Sequence, residues 1–131
     1  MAEPIEVVRK FYWLLARGDA PGALALLHSE VEWSEAKRSP YYAGTLRGAQ
    51  SVVSKVFEPI AADFDDFATT PSEFLAQGDR VISIGNYSGV AKATKRHLFA
   101  PFVHCWTVLD GALRRFDQYT DSAAWKEPLS P

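Results

Sequence analysis

The chain has 131 residues, 47% hydrophobic and 23% charged, which is ordinary for a single globular domain. Its net charge of −2 excludes the basic surface that nucleic-acid binding requires, and no apolar run approaches the ~20 residues of a membrane-spanning helix. The first residues lack the basic and then apolar order of a signal peptide, and the single cysteine excludes an internal disulfide. We therefore expect one domain over residues 1–131, located in the cytoplasm, with no nucleic-acid or membrane partner.

The first part of the chain has the apolar spacing of two helices. Pro4 suits the first turn of a helix whose apolar residues recur three and four positions apart, and Gly18 ends it. Asp19 can cap a second helix that has Pro21 in its first turn. The order therefore predicts two consecutive helices before the first strand.

A strand, a loop and a third helix follow. Residues 30–35 alternate between apolar and polar side chains, as a short strand does, and residues 37–48 form a loop rich in proline, tyrosine and glycine. The third helix is predicted from residue 49 to about residue 60, and Pro59 should kink or stop it.

The second half of the chain changes to the period of β-strands. Residues 67–76 predict a strand that Pro71 confines to an edge or a bulge, and residues 80–89 predict the next strand. Residues 101–121 are two β-rich runs around Asp110-Gly111, which is a strong signal for a tight hairpin.

These elements together predict an α+β fold. Helices and strands follow the order ααβα and then four strands, and the tail from about residue 123 is expected to be frayed. Three helices would pack on one face of a curved, mixed, mostly antiparallel β-sheet. Such an arrangement leaves a cone between the helices and the sheet, closed at one end by core and open at the other.

Short motifs in a fixed order then resemble one known family. The opening helix pair, residues 11–27, looks like that of SnoaL-like proteins, and the later motifs extend the resemblance over roughly residues 5–123. These later motifs are Val31-Glu32-Trp33, Tyr42-Ala43-Gly44 with Gly48, Gly78-Asp79-Arg80-Val81, Gly85-Asn86-Tyr87, Val103-His104-Cys105-Trp106, Asp110-Gly111, Arg115-Phe116 and Tyr119-Thr120-Asp121.

The resemblance implies an NTF2-like, or cystatin-like, cone with a ligand-binding pocket. This superfamily includes ketosteroid isomerase and limonene-epoxide hydrolase, and its fold also serves cyclases and non-catalytic modules. Members commonly pair through the outer face of the sheet, so we expect a homodimer. Apolar residues on both faces of the strands agree with a sheet that is covered on each side.

Comparison with ketosteroid isomerase argues against one specific activity, the isomerisation of steroids. Its general-base aspartate corresponds to Glu35, so a carboxylate is present there, one methylene longer. Its oxyanion-hole tyrosine corresponds to Phe11, and its protonated aspartate corresponds to about Val103. Because both oxyanion donors are missing at the matching positions, steroid isomerisation by that mechanism is not expected. The Asp-Arg-Asp set of the epoxide hydrolase is not reproduced either.

Three titratable residues are the candidate catalytic groups, and each has a structural alternative. Glu35 would serve as a general base if burial raised its pKa, or it could be a solvated carboxylate neutralised by the neighbouring Lys37-Arg38 pair. His104 could shuttle protons in the cavity or be a hydrogen-bonded core histidine. Asp121 resembles a carboxylate of SnoaL-type cyclases, or it could cap the start of the tail.

Aromatic side chains are the candidate ligand contacts. Most of them would fill core or line the cavity, and Tyr42 lies in the loop expected to cover its mouth. The spacing of histidines and cysteines gives no support for a metal cluster of His104, Glu35 and Asp121, and we expect neither a metal nor a cofactor. The candidate ligand-binding residues are Tyr12, Trp33, Tyr42, Tyr87, Phe102, Trp106 and Tyr119.

Two functional hypotheses follow. The first is a cofactor-independent isomerase, cyclase or hydrolase that moves a proton on an apolar carbonyl, polyketide-like or epoxide substrate. The second is a non-catalytic module that uses the same cone for ligand binding or dimerisation. Convergence of Glu35, His104 and Asp121 on one closed cavity would favour the enzyme, whereas Glu35 and Asp121 pointing into bulk solvent would exclude catalysis by these residues.

Overall fold

The computed structural model describes residues 2–131. In it, helices pack against one face of a single β-sheet. The helices are α1 (Pro4–Ala16), α2 (Ala20–Leu24), α3 (Ala49–Val52), α4 (Glu58–Asp63) and α5 (Ser122–Leu129), and a π-helical turn at Val53–Phe57 joins α3 to α4. The strands are β1 (Leu27–Ser34), β2 (Leu46–Arg47), β3 (Phe64–Gln77), β4 (Arg80–Ala91), β5 (His97–Leu109) and β6 (Ala112–Thr120).

The strand order confirms the α+β prediction of a mixed, mostly antiparallel sheet. Within residues 2–131 the sheet has six strands in the order β2-β1-β6-β5-β4-β3. Only the β1–β6 pair is parallel in this part of the chain, and the other neighbours are antiparallel. The inner face, defined as the face toward the helices, carries the core.

The first two helices follow the sequence prediction closely. Helix α1 begins at Pro4 and is followed by Gly18, whose positive φ of 77° reverses the chain. Asp19 then caps α2, because its side chain accepts a hydrogen bond from the Gly22 N–H at 2.9 Å. The face of α1 that packs on the sheet consists of Val7, Val8, Phe11, Tyr12 and Leu14.

The third helical region extends farther than the sequence predicts. Pro59 was expected to kink or stop the helix near residue 60, but the helix continues to Asp63. Pro59 has no N–H to donate to the carbonyl of Lys55, and its ring crowds that turn. The wider π-helical turn immediately before Pro59 accommodates this ring, so the chain stays helical.

The closing hairpin has the predicted tight turn. Strands β5 and β6 pair antiparallel and are joined by Asp110 and Gly111. Both residues have positive φ angles, 51° and 77°, which is the backbone of a type I′ turn. The predicted edge position of Pro71 is also observed, since β3 is the last strand of the sheet and its register shifts between Pro71 and Glu73.

The end of the chain forms a helix rather than the expected frayed tail. Asp121 caps α5 by accepting a hydrogen bond from the Ala124 N–H at 3.2 Å. Trp125 is fully buried, and its indole N–H donates to the Thr120 hydroxyl at 3.2 Å. The expectation of a frayed tail is therefore wrong. The sequence did not predict this helix because one tryptophan gives too weak a periodic signal, and because Pro128 lies inside the helix.

The core fills the space between the helices and the inner face of the sheet. On β4, alternate residues Val81, Ser83, Gly85 and Tyr87 point to this side and are buried. None of the helices in residues 2–131 has the length and apolar character required to cross a membrane.

Gly85 is required by close contact between β4 and β3. A Cβ atom at this position would lie 2.2 Å from the Thr70 carbonyl oxygen and 2.7 Å from the Pro71 Cα. Because both are backbone atoms, Gly85→Ala should force the strands apart and lower the free energy of unfolding by about 1–3 kcal/mol. Urea unfolding measures this loss.

Gly89 provides the matched control for this prediction. It lies on the same face of the same strand, but its added Cβ would meet its nearest atom at 3.4 Å, an ordinary contact distance. We expect Gly89→Ala to cost clearly less than Gly85→Ala. Equal losses for the two variants would contradict the steric explanation.

Candidate functional site

A cavity of about 600 Å³ lies between the helices and the inner face of the sheet. This volume is within the range of sites that hold small organic molecules. Its walls are mainly aromatic, and its polar groups gather at the sheet. The aromatic wall residues include Phe11, Trp33, Phe57, Trp106, Phe116 and Trp125.

The most exposed residues that line the cavity are small, and we call them the rim. The lining residues that are exposed to solvent are Ala16, Gly18, Ala61, Ala68 and Thr70. The rim therefore lies between the end of α1, helix α4 and strand β3.

The expected lid over the cavity mouth is not formed by the loop after β1. Tyr41 is buried there and donates its hydroxyl hydrogen to Asp63 at 2.8 Å, which attaches the loop to the end of α4. Tyr42 consequently points outward with 42% of its surface exposed and does not line the cavity. The prediction of Tyr42 as a ligand contact is corrected for this reason.

Glu35 is buried in the cavity wall. It follows β1 directly, and it alternates with Trp33 so that both side chains reach the same side. Only 6% of Glu35 is exposed, and one of its oxygens accepts a hydrogen bond from the Trp33 indole N–H at 2.8 Å.

Burial raises the pKa of Glu35 from 4.5 to about 7. The Trp33 hydrogen bond and the Gln118 amide lower this pKa, but by less than burial raises it. Lys37 and Arg38 are exposed, and no ion pair among residues 2–131 joins them to Glu35. A carboxyl group of this kind exchanges a proton near neutral pH.

His104 lies at the centre of a polar network beneath the aromatic wall. Its Nδ1 is 2.5 Å from the Tyr12 hydroxyl, and its Nε2 is 2.5 Å from the Tyr87 hydroxyl. Tyr87 also accepts a hydrogen bond from the Gln118 amide at 2.9 Å, and Tyr12 lies 2.5 Å from the Ser83 hydroxyl. We call these five residues the polar network.

The sheet register places three members of the polar network in one row. Ser83 on β4 pairs with His104 on β5, and His104 pairs with Gln118 on β6. Helix α1 supplies Tyr12 from above, since this side chain lies on its buried face. The network is therefore a product of long-range pairing.

Burial sets the protonation of the polar network. Desolvation lowers the pKa of His104 well below 6.5, so the imidazole is neutral at pH 7. Desolvation also raises the pKa of both Tyr12 and Tyr87 above 10, so their hydroxyl groups keep their hydrogens. Every member is thus uncharged.

The remaining predicted site residues do not line the cavity. Asp121 is exposed and caps α5, which is the structural alternative that the sequence left open. Tyr119 is 60% exposed on the outer face of the sheet because it is one position out of phase with Gln118. Phe102 is buried but does not line the cavity, and it stacks on the His104 ring with centroids 3.9 Å apart.

Four of the predicted ligand-binding residues do line the cavity: Tyr12, Trp33, Tyr87 and Trp106. Sequence reasoning missed Gln118 and Ser83. Both are polar residues at inward positions of apolar strands, and that alternation is the signal that could have identified them. Because Asp121 lies elsewhere, Glu35, His104 and Asp121 do not form a cluster.

Comparison with solved structures identifies close relatives of this fold. An NTF2-like protein from Burkholderia thailandensis is 28% identical over 100% of both chains, with a TM-score of 0.95. An NTF2-like protein from Burkholderia pseudomallei is 27% identical over 100% of both chains, with a TM-score of 0.89. TerC, co-crystallised with polyporic acid, is 26% identical over 96% of this chain and 97% of its own, with a TM-score of 0.84.

Comparison with curated proteins finds no match. The sequence profile described as the SnoaL-like domain matches residues 8–116, which include Glu35 and every strand up to the middle of β6. The order of elements, the mixed sheet and the cavity agree with that match. The chain therefore belongs to the SnoaL-like domain family, with an NTF2-like fold.

Proposed function

We propose that this protein binds a small, largely apolar molecule in the cavity and catalyses a proton transfer on it, with Glu35 as the general base. The observation that carries this proposal is a buried carboxyl group with a pKa of about 7 in the wall of an aromatic cavity. A base works best when its pKa lies near the working pH, because it is then both available and strong.

The aromatic wall supports an apolar substrate that carries a carbonyl group. Removal of a proton next to a carbonyl needs a base and no cofactor, and the exclusion of water by an apolar wall strengthens the electrostatic interactions that assist it. Glu35 lines the cavity, and so do Tyr12 and Tyr87, which carry two of the hydroxyl groups of the polar network. Isomerisation, cyclisation and enolisation of such a substrate share this first step, and Asp121 takes no part in it.

The alternative function is ligand binding without catalysis. Among residues 2–131, every buried side-chain polar atom already has a hydrogen-bond partner within the protein. The cavity therefore needs no polar group from a ligand, and it could hold a ligand that has no reacting group. Both functions require a ligand, and only the first requires the Glu35 carboxyl group.

Isotope exchange tests the catalytic role of Glu35. Wild-type protein and Glu35→Gln are incubated in D₂O at pH 8 with a panel of apolar ketones, and NMR follows exchange of the hydrogens next to the carbonyl. Where the wild type accelerates exchange, Glu35→Gln should slow it by about 100-fold, since general bases contribute at least this much. Equal exchange rates in the two proteins would refute the proposal.

Two controls complete this test. Glu30→Gln removes an exposed carboxylate from β1, the strand that precedes Glu35, and should leave exchange unchanged. A thermal-shift measurement with polyporic acid, the compound co-crystallised with TerC, tests ligand binding independently of turnover. A Glu35→Gln variant that binds but does not exchange separates catalysis from binding.

We also propose that two copies of the chain pair through the outer face of the sheet. Val103 and Ile84 are neighbours there, and Leu75, Phe99 and Tyr119 expose 55%, 68% and 60% of their surfaces on the same face. Burying such side chains against a second copy would remove apolar area from water.

Light scattering tests the dimer at micromolar concentration. The expected mass is twice the 14.6 kDa of one chain, and Val103→Glu should reduce it to one chain, because it introduces a charge into the apolar patch. A monomeric wild-type protein would contradict this proposal. Tyr42→Phe, on an exposed loop away from the sheet, should leave the mass unchanged.

A further inference from the structure

The two ends of the polar network are held by donors whose direction is fixed. The Gln118 side-chain oxygen accepts the Ala36 N–H at 3.0 Å, so the NH₂ group must be the end of that amide that faces Tyr87. Tyr87 therefore accepts a hydrogen bond from Gln118 at 2.9 Å. At the other end, the Trp106 indole N–H can only donate, and it lies 3.0 Å from the Tyr12 oxygen.

A neutral His104 between these ends allows two arrangements. If Nδ1 carries the hydrogen, it donates to Tyr12, Tyr12 donates to Ser83, and Tyr87 donates to Nε2. If Nε2 carries the hydrogen, it donates to Tyr87, Tyr12 donates to Nδ1, and Ser83 donates to Tyr12. The two arrangements contain the same atoms and no charge; one hydrogen moves between the ring nitrogens, and three hydroxyl hydrogens rotate.

The burial of Ser83 distinguishes the two arrangements. Ser83 is 0% exposed, and within residues 2–131 its hydroxyl has hydrogen-bond contacts with Tyr12 and Trp106 alone. Trp106 cannot accept, so the first arrangement leaves the Ser83 hydrogen buried without an acceptor, which is costly. In the second arrangement the remaining hydrogen belongs to Tyr87, which borders the cavity and can bond to water or ligand there.

We propose that His104 is held as its Nε2–H tautomer and thereby makes the Tyr87 hydroxyl a hydrogen-bond donor to the cavity. The site would then take ligands that present a carbonyl or enolate oxygen at this end. Gln118 and His104 together occupy both lone pairs of the Tyr87 oxygen, so Tyr87 cannot accept a hydrogen bond from a ligand. His104 is a positioning residue, and the inference rests on the proposed function only in requiring that the cavity holds a ligand.

The tautomer can be measured without any ligand. NMR of protein labelled with ¹⁵N-histidine distinguishes a ring nitrogen that carries hydrogen from one that does not, and comparison with His104→Gln assigns the His104 signals. At pH 7 we expect hydrogen on Nε2 and a bare Nδ1. Hydrogen on Nδ1, or on both nitrogens, would overturn the proposal.

A matched pair of probes tests the donor role of Tyr87. 2-Acetylnaphthalene carries an acceptor oxygen, and 2-isopropenylnaphthalene has a similar shape without one. Tyr87→Phe should weaken binding of the ketone by about tenfold, the usual contribution of one hydrogen bond, while the hydrocarbon changes by less than about twofold. The control Tyr42→Phe removes an exposed hydroxyl outside the cavity and should change neither.

The outcomes separate this inference from the proposed function. Equal weakening of both probes by Tyr87→Phe, or no weakening, would overturn the donor role of Tyr87. If neither probe binds the wild type, the NMR result alone decides the inference, since it needs no ligand. Failure of Glu35→Gln to slow isotope exchange would remove the catalytic proposal and leave the tautomer of His104 unaffected.

Discussion

Replacing Trp125 with alanine is expected to lower the free energy of unfolding by about 3–5 kcal/mol, the usual cost of deleting a buried large aromatic side chain. Trp125 is fully buried although it lies only six positions before the last residue. Its ring contacts Tyr87 and Tyr41, with centroids 4.8 and 5.7 Å away, and Phe64 and Phe67 at 5.9 and 5.7 Å. The variant removes this shared contact and leaves a hole beside the cavity.

Urea unfolding followed by circular dichroism measures the effect, and Trp13→Ala is the matched control. Trp13 is 56% exposed, and its main partner is the Arg17 guanidinium, 4.5 Å from the ring. Its loss should cost only about 0.5–1 kcal/mol. Similar losses for the two variants would show that α5 does not belong to the core.

The contribution of Glu35 to the stability of the protein should fall as the pH rises from about 4.5 to about 7, the interval between the two pKa values of Glu35. In this interval the folded state keeps the Glu35 proton while the unfolded state releases it. The folded state therefore binds more protons, and raising the pH favours unfolding. The shift corresponds to about 3 kcal/mol, lost by pH 8 and fully present below pH 4.5.

Glu35→Gln isolates this contribution. An amide resembles the protonated carboxyl group and does not ionise, so the variant should exceed the wild type in stability by up to about 3 kcal/mol at pH 8 and match it near pH 4. Denaturant unfolding at a series of pH values gives the difference between the two proteins. Glu30→Gln, which changes an exposed residue of β1, should follow the wild type, and parallel curves for all three proteins would contradict the raised pKa.

Local patterns were sufficient to predict much of the fold. Pro4, Gly18 and Asp19 mark helix ends through their own backbone chemistry, and Asp110-Gly111 sets its turn by the positive φ that both residues tolerate. The continuation of the helix past Pro59 could not be predicted in this way. It depends on a π-helical turn, which has no sequence signal of its own.

The candidate site was predictable only in part. The alternation around Trp33 put Glu35 on the same strand face but left its burial open, and the raised pKa depends on desolvation by distant residues. The polar network depends on the register of three strands, and a shift of one residue would turn Gln118 outward and Tyr119 inward. Tyr42 was misplaced because a tertiary contact, Tyr41 to Asp63, attaches its loop, and the local cap made by Asp121 stayed only an alternative because no helix was predicted after it.

The small residues at the cavity rim have a kinetic consequence. None of the exposed side chains that line the cavity is larger than threonine. The loop that contains Tyr41 is attached to Asp63 and does not cover the cavity mouth. We therefore expect a ligand to enter and leave past these small side chains without first waiting for a lid to move. Its observed association rate should then rise linearly with ligand concentration, without the plateau that a preceding conformational step imposes.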